Sequence, residues 1–178
     1  SISEEKRKNR IARETMEIYA PLADRMGMNH IRDELEDISF KILNPEARNL
    51  VVERLNINKE NRDNTFKKIS RDFNNVLEVK SVNAKIVGRE KTPFSIWRKM
   101  QSKRVSLEQL TDIIGFRIIV DDVETCYKVL GIFHENWSTI PGRFKDFIST
   151  PKINNYKSIH TAVIGPSKER VEIQIRTH

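Results

Sequence analysis

The spacing of apolar residues changes near Ser81, and this change limits what the chain can fold into. Before it, apolar residues recur every three or four positions, as in the stretch 31–42, which is the spacing of one helix face. After it, they alternate with polar residues or form short apolar runs, as β-strands do. We therefore predict an α+β fold in which a helical region, residues 1–80, precedes a mixed β-sheet flanked by helices, residues 81–178.

Residues 1–80 are predicted to form amphipathic helices. Pro21 lies inside the first helical pattern and predicts a kink or a break there. Asn29 is predicted to cap the second helix, and Asn44 followed by Pro45 the third. The helices are predicted to bury the apolar residues at helical spacing, namely Ile11, Ala12, Met16, Ile18, Tyr19, Leu22, Ala23, Met26, Ile31, Leu35, Ile38, Ile42, Ala47, Leu50, Val51, Leu55, Phe66, Ile69, Phe73, Val76 and Leu77.

Strands and helices intermix after Ser81. A strand over Val82–Ile86 is predicted to end at Gly88, and a helix is predicted to follow from about Pro93. The nearly continuous apolar run 113–120 predicts a central strand. A helix is predicted over 121–137, with Val123, Tyr127, Leu130 and Phe133 facing inward. Two further strands, over 157–164 and 170–176, complete the predicted sheet.

Composition excludes some classes of protein. The chain has 178 residues, and no apolar run approaches the roughly 20 residues that span a bilayer, so no membrane partner is expected. The charged segment 1–13 lacks the apolar stretch of a signal peptide. A single cysteine, Cys126, excludes an intrachain disulfide and a cysteine-only metal site. We therefore expect a cytoplasmic location.

Positive charge is concentrated in the second half of the chain. Residues 1–80 contain 16 Lys/Arg and 15 Asp/Glu, a balance of +1, whereas residues 81–178 contain 16 Lys/Arg and 10 Asp/Glu, a balance of +6. Such a field attracts polyanions, whether nucleotide, nucleic acid or membrane. A merely solvated basic surface is the alternative.

The first polar cluster covers 88–104, where six Lys/Arg and one acidic residue occur. Lys91, Ser95 and Lys99 can line one side of a strand-to-helix junction, where backbone N–H groups also favour anions. Gly88 would let the backbone approach a ligand. The alternative is a solvated helix face with ordinary lysines.

The second cluster pairs Asp112 with Arg117. An arginine inside a buried apolar run is costly unless it is paired or faces a cleft. Two interpretations follow for Arg117. Either it forms a structural salt bridge with a neighbouring acidic residue, or it belongs to a site in which Asp112, at a strand end, is a hard oxygen ligand for Mg²⁺.

The most polar stretch lies over 141–160, and an alternating strand follows it. Cations around one aromatic ring suit a nucleotide, because cations face phosphates and a flat ring faces a base. A carboxylate beside them is what a metal-dependent phosphoryl-transfer site requires. Alone, His160 is typical of a hydrogen-bonded core histidine. The stretch contains Arg143, Lys145, Asp146, Lys152, Asn154, Tyr156 and His160, and the strand places Glu172, Gln174 and Arg176 on one face and Val171, Ile173 and Ile175 on the other.

Two segments of the helical half, Tyr19–Gly27 and Glu34–Phe40, are similar to the central helical region of the RelA/SpoT homologue family. Five later segments match the synthetase motifs of that family in order, namely Gly88–Met100, Asp112–Arg117, Pro141–Asp146, Pro151–His160 and Glu172–Thr177. The resemblance therefore covers nearly the whole chain. It implies a nucleotidyltransferase-like synthetase core that transfers the β,γ-pyrophosphate of ATP to the 3′-hydroxyl of GDP or GTP, giving (p)ppGpp in the stringent response.

The resemblance also implies a role for each matching residue. Asp112 would ligate Mg²⁺, and Glu172 would share the metal or draw the proton from the attacking hydroxyl. Tyr156 would stack on guanine. ATP would be held by Arg89 and Arg117, which would sandwich adenine, and by Lys91, Ser95 and Lys99 on its phosphates. The acceptor would be held by Lys145, Lys152 and His160 on its phosphates, with Asn154 and Gln174 supporting the pocket.

Three further expectations follow from the resemblance. The basic segment Arg143–Asp146 is similar to that of the bifunctional, SpoT-like branch and implies a preference for GTP. Asn155 replaces the glycine usual before the tyrosine, so asparagine must adopt a left-handed turn. The family continues past His178 with further helices, and no segment resembles its hydrolase domain. We therefore expect an excised fragment, truncated at its C-terminus, that turns over poorly alone.

Two other functions stay open at this point. One is a regulatory module that binds nucleotides without catalysis. The other is a nucleic-acid-binding module, suggested by the basic half of the chain. Against it, residues 81–178 carry few aromatics suited to base stacking and no recognised RNA motif. The expected partners are therefore ATP and GTP or GDP rather than nucleic acid, and the sequence does not fix the oligomeric state.

Overall fold

The structure is a computed structural model that describes residues 2–107, 110 and 114–178. They form two compact units, a helical unit within residues 1–58 and 92–109 and a sheet unit within residues 59–91 and 110–178. The division at residue 80 rests on periodicity alone and stays a prediction. In chain order the elements are α1 (Ile2–Glu14), a π-helical turn (Thr15–Tyr19), α2 (Ala20–Arg25), α3 (Asn29–Leu43), α4 (Pro45–Ile57), α5 (Lys59–Val79), β1 (Lys85–Glu90), α6 (Pro93–Lys103), β2 (Ile114–Val120), α7 (Val123–Asn136), β3 (Lys145–Asp146), β4 (Ile159–Ile164) and β5 (Arg170–Thr177).

Proline and asparagine positions explain how the helical unit is divided. The predicted irregularity at Pro21 is confirmed, because α2 begins at Ala20, whose N–H donates to the carbonyl of Thr15 in the preceding π-helical turn. The cap at Asn44 is also confirmed, since its side chain accepts a hydrogen bond from the N–H of Ala47 at 3.3 Å. The predicted cap at Asn29 is wrong. Asn29 is the first residue of α3, and no side chain caps that helix.

Burial in the helical unit differs from the prediction. Several residues of the apolar stripes are about half exposed, among them Ile11 at 48%, Ile18 at 54% and Ile38 at 52%. The buried residues of α1 and α2 are all small, namely Ala12, Ala20 and Ala23. Small residues let helices approach closely, and the larger side chains of the same faces then remain outside the contact.

Helix α6 is held in the helical unit by aromatic packing and one ion pair. Phe40 of α3 is buried, and its ring centroid lies 5.4 Å from that of Phe94 and 5.1 Å from that of Trp97 on α6. Arg98 of α6 lies 3.9 Å from Glu36, whose pKa is raised by burial, an effect that Arg98 partly offsets. These contacts fix the helix that carries Ser95 and Lys99.

The sheet unit contains a five-stranded mixed sheet in the order β1-β2-β5-β4-β3. Strands β2 and β5 are parallel, and the other neighbouring pairs are antiparallel. Helices α5 and α7 contribute to one apolar core with the sheet. The predicted mixed sheet flanked by helices is confirmed, with β5 as its central strand.

The alternation of β5 is confirmed. Val171, Ile173 and Ile175 are buried in the core with Phe73 of α5 and Phe133 of α7. The predicted inward face of α7 is partly wrong, because Val123 and Tyr127 are exposed. The residues of α7 that are buried are Cys126, Val129, Ile132 and Phe133.

Strand β1 begins later than predicted and continues through Gly88 to Glu90. A Cβ atom at Gly88 would lie 2.9 Å from the ring of Phe66, so the glycine is required by packing against α5. The expectation that Gly88 also lets the backbone approach a ligand stays a prediction. The short strand β3 was not predicted, because two residues carry no periodicity. Within the described residues, no helix is both long and apolar enough to cross a bilayer.

Candidate active site

The sheet face opposite the shared core, here called the polar face, carries two rows of residues set by strand register. Residues in register on neighbouring strands lie about 5 Å apart. The register therefore brings residues from distant parts of the sequence together on this face. The Glu172 row consists of Arg89, Gly115, Glu172 and Ala162. The Gln174 row consists of Val87, Arg117, Gln174, His160 and Lys145.

The centre of the polar face is an ion pair between Lys91 and Glu172. Lys91 directly follows β1, and its Nζ lies 2.9 Å from Oε2 of Glu172 on β5. Because β2 lies between β1 and β5, the lysine crosses β2, which has Gly115 opposite Glu172. Both side chains keep partial access to solvent, at 20% and 35%. A carboxylate and a flexible cation therefore meet where a ligand can reach them.

Arg89 and Arg117 lie diagonally across β1 and β2. Arg117 is in register with Val87, two residues before Arg89. Diagonal neighbours on adjacent strands are about 7–8 Å apart, a spacing that suits one aromatic ring between two planar groups. Nε of Arg117 is buried and has no hydrogen-bond partner in the part of the chain that is described. A buried donor of this kind fits a position that a ligand atom satisfies.

A cleft of about 170 Å³ lies on the other side of Glu172, over β4 and β3. Its lining contains two cations, Arg143 and Lys145, and one carboxylate, Glu172. Such a cleft accommodates an anionic group between the cations and the carboxylate. Its lining also includes Gly142, His160, Thr161, Ala162, Ile173 and Gln174.

Tyr156 and His160 form a hydrogen-bonded pair beside this cleft. The tyrosine Oη lies 3.0 Å from Nε2 of His160 and accepts a hydrogen bond of 2.9 Å from Ser158. Burial, together with the nearby positive charge of Lys152, lowers the pKa of His160 to about 4. His160 is therefore a neutral hydrogen-bonding group at pH 7 rather than a cation.

Two cations lie near the Tyr156 ring, Lys152 from the loop before β4 and Arg176 from β5. Nζ of Lys152 lies 5.3 Å and the guanidinium carbon of Arg176 lies 5.9 Å from the ring centroid. Asn154 accepts a hydrogen bond of 3.1 Å from the N–H of Tyr156. The predicted left-handed turn at Asn155 is confirmed by a φ of 57°. The loop therefore holds an aromatic ring and a cation together, as its composition predicted.

Asp146 faces away from the cleft and anchors β3. One carboxylate oxygen accepts hydrogen bonds of 2.9 Å from the N–H groups of Ile148 and Ser149, and the other accepts one of 2.8 Å from Tyr127 of α7. Burial acts to raise the pKa of Asp146, but these bonds hold it below its usual value. Lys145, the neighbouring residue, consequently points to the polar face.

Two predicted ATP-binding residues, Ser95 and Lys99, lie on α6 in the helical unit. Thr92 caps this helix and accepts a hydrogen bond of 3.2 Å from the N–H of Ser95. Ser95 and Lys99 are four residues apart and so share one side of the helix. Thr92 was missed, although the sequence Thr92-Pro93 carries the same signal as Asn44-Pro45.

Asp112 lies outside the described residues. Of the two predicted metal ligands, the structure therefore describes Glu172 alone. No group of three or more His, Cys, Asp or Glu residues that could hold a metal is found in the described part of the chain. Mg²⁺ is commonly held by one or two carboxylates together with substrate phosphates. A partly exposed carboxylate at the edge of a cationic cleft fits that kind of donor set.

Sequence reasoning missed the roles of Tyr127 and Ser158. Both act through the side chains of Asp146 and Tyr156, and their partners become neighbours only when the sheet forms. The signal available beforehand was the polar character of both residues inside predicted secondary structure.

Comparison with known proteins identifies relatives of the chain. A family model described as "Region found in RelA / SpoT proteins" matches residues 88–178. GTP pyrophosphokinase rsh of Brucella melitensis is 51% identical over 99% of this chain. A GTP pyrophosphokinase of Myxococcus xanthus is 44% identical over 99% of the chain, and the bifunctional (p)ppGpp synthase/hydrolase SpoT of Escherichia coli is 43% identical over 96%.

These relatives are much longer proteins. The matches cover 24% of the Brucella and Escherichia proteins and 23% of the Myxococcus protein. The chain therefore spans about a quarter of the length of the relatives that it matches.

Proposed function

The chain belongs to the RelA/SpoT family, and on that premise we propose that it is a (p)ppGpp synthetase. It would transfer the β,γ-pyrophosphate of ATP to the 3′-hydroxyl of GTP or GDP. The observation that carries the proposal is the position of Glu172 on the central strand. Arg89 and Lys91 lie on its β1 side and the cationic cleft lies on its β4 side. A reaction that joins two nucleotides needs such a centre between two binding places.

On the donor side, Arg89 and Arg117 would hold the adenine ring of ATP between their guanidinium planes. Their diagonal spacing and the unsatisfied Nε of Arg117 support this assignment. Lys91 would hold the ATP phosphates, and the same role is assigned to Ser95 and Lys99. The last two residues are assigned by the family motif that they match.

On the acceptor side, Tyr156 would stack on guanine. Lys145 and Lys152 would bind the phosphates of the acceptor, and His160 would donate or accept a hydrogen bond there as a neutral group. Asn154 supports the loop through the backbone of Tyr156. Gln174 would support the same pocket from β5. Arg143 lines the same cleft as Lys145 and adds a second positive charge. This supports GTP as the preferred acceptor, because GTP carries more negative charge than GDP.

The chemistry requires a base, an electrophile and a leaving group. The 3′-oxygen of the acceptor attacks the β-phosphorus of ATP, the bond from that phosphorus to the oxygen of the α-phosphate breaks, and AMP leaves. Glu172 would take the proton of the attacking hydroxyl. The two nucleotides repel each other, and the surrounding lysines and arginines offset this repulsion.

Asp112 and Glu172 are the residues that would hold Mg²⁺. When bound, the ion would offset the charge of the ATP phosphates. The Mg²⁺ requirement and the cytoplasmic location are proposals that rest on the family and on composition.

The proposal is tested by the release of AMP from ATP. We expect AMP and (p)ppGpp to appear only when Mg²⁺ and a guanosine nucleotide are both present. A longer version of the chain, assayed in parallel, measures how much flanking sequence contributes. Absence of product from both would overturn the proposal.

A second candidate is nucleotide binding without turnover. The Lys91–Glu172 contact favours it, because the lysine occupies the carboxylate that would act as the base. Tight binding of ATP without product, in the short and the longer version, would support this alternative.

A further inference from the structure

Glu172 is flanked on both neighbouring strands by residues with little or no side chain. Gly115 of β2 and Ala162 of β4 are each in register with it. On the polar face, the glutamate side chain therefore stands between two gaps in its row. The next row has no such gaps, because Arg117, Gln174 and His160 are adjacent there.

Packing does not require a glycine at position 115. A Cβ atom placed there would lie 3.5 Å from the carbonyl oxygen of Arg89 and 3.8 Å from that of Glu172, which are ordinary contacts. Its φ is not in the left-handed region, since Gly27 and Gly142 are the glycines with positive φ in the described residues. Neither sterics nor backbone geometry of the folded chain thus explains a glycine at this position.

The gap at Ala162 belongs to the cleft. Ala162 is 3% exposed and lines the cleft together with Lys145 and Glu172. Strand β4 alternates, with Thr161 and Val163 on the side of the core, so the methyl group of Ala162 faces the polar side. A larger side chain here would fill the cleft next to the carboxylate.

We propose that Gly115 and Ala162 are specificity-determining residues that keep separate places open for the two nucleotides beside Glu172. Gly115 makes room for the donor phosphates below Lys91, and Ala162 makes room for the ribose and phosphates of the acceptor. This inference rests on the proposed synthetase function. The physical basis is the short distance between the reacting groups. The reacting atoms must approach each other to about 3–3.5 Å, and neighbouring strands are only about 5 Å apart. A larger side chain in register with Glu172 would therefore occupy space that one of the nucleotides needs.

The test is a pair of substitutions with the two ligands measured separately by calorimetry. Gly115→Ala adds one methyl group on the donor side, and Ala162→Val adds two on the acceptor side. The probes are a non-hydrolysable ATP analogue and GTP. Gly131→Ala is the matched control, because a Cβ at Gly131 of α7 meets nothing within 4 Å. Ala162→Ser is a smaller change on the acceptor side, should the valine variant fold poorly.

We expect Gly115→Ala to weaken the ATP analogue about tenfold or more and to leave GTP within about twofold, since one added carbon in a fitted pocket has that effect. Ala162→Val should show the reverse, and Ala162→Ser the same direction to a smaller extent. Equal losses for both ligands, no loss, or an exchanged pattern would overturn the inference while leaving the synthetase proposal standing. Failure of the unsubstituted protein to bind either nucleotide would overturn the synthetase proposal, and this inference with it.

Discussion

Nζ of Lys91 lies 2.9 Å from Oε2 of Glu172, across the strand that separates them. The pair joins the proposed phosphate-binding residue to the proposed base. ATP phosphates would compete with Glu172 for the ammonium group. Binding of the donor would then free the carboxylate for the acceptor hydroxyl.

Glu172→Gln tests the role of this carboxylate. The substitution keeps size and removes the basic oxygen, so turnover should fall by about a hundredfold or more. A partly exposed ion pair contributes only about 0–1 kcal/mol, so the free energy of unfolding should change little. Steady-state kinetics and urea unfolding measure the two quantities. Lys91→Met is the companion variant, and it should raise the KM for ATP. Activity like that of the unsubstituted protein in Glu172→Gln would contradict the assigned role.

Tyr127→Phe tests whether α7 positions the acceptor cleft. The substitution removes the hydrogen bond to Asp146, which anchors β3 and so orients Lys145. We expect a higher KM for the acceptor, with kcat and the KM for ATP unchanged. Asp146→Asn should have the same selective effect, because it weakens the same set of bonds. A loss spread equally over both substrates would indicate a general structural role instead.

His160 should make the fold sensitive to acid. Its pKa is about 4 in the folded protein, lowered by burial, against 6.5 for an ordinary histidine. The unfolded chain therefore takes up a proton first, and stability is lost as the pH falls from about 6.5 to about 4. The contribution is on the order of 2 kcal/mol, after allowing for partial exposure of the ring.

Unfolding curves between these pH values, compared with those of His160→Gln, measure this contribution. The glutamine variant should show a shallower loss of stability, because it has no group that protonates in this range. Identical pH dependence in the two proteins would show that His160 is not responsible.

Gly88→Ala and Gly131→Ala form a matched pair for the packing of the sheet unit. The added methyl group at Gly88 would meet Phe66 at 2.9 Å and should destabilise the fold by about 1–3 kcal/mol. The same change at Gly131, inside α7, meets nothing and should stabilise by about 0.5–1 kcal/mol. Thermal unfolding of both variants measures the difference, and equal effects would refute the packing argument.

Local patterns predicted the elements well where one pattern dominates. The alternation in β5 gave the correct buried face, and the Asn44-Pro45 pair gave the correct helix start. The start of β1 was wrong because Val82 and Ala84 continue the strand alternation, although they precede Lys85, where ladder pairing begins. The periodicity of a sequence indicates which side chains could face a core. Where a strand begins also depends on backbone hydrogen bonds to the neighbouring strand, which the periodicity does not show.

Burial in the helical unit could not be predicted from residue type. Ile18 and Ala23 lie on neighbouring stripes of one pattern, and the alanine is the buried one. The choice depends on how closely the helices approach, which is a property of the tertiary structure.

The candidate site was predictable as a set of residues but not as an arrangement. The loop around Tyr156 and the strand of Glu172 were identified from charge and alternation. The order of the rows was not, because it requires the parallel pairing of β2 with β5. The gaps at Gly115 and Ala162 become visible only in that register.

The central claim is that one group passes intact from ATP to a guanosine nucleotide at Glu172. It is tested most directly with ATP labelled at the β-phosphorus, incubated with GTP and Mg²⁺. The account predicts that the label appears in a guanosine nucleotide phosphorylated at its 3′-position, with one unlabelled AMP formed for each labelled product. Label recovered only as free phosphate or pyrophosphate, or bound ATP that stays intact, would contradict it.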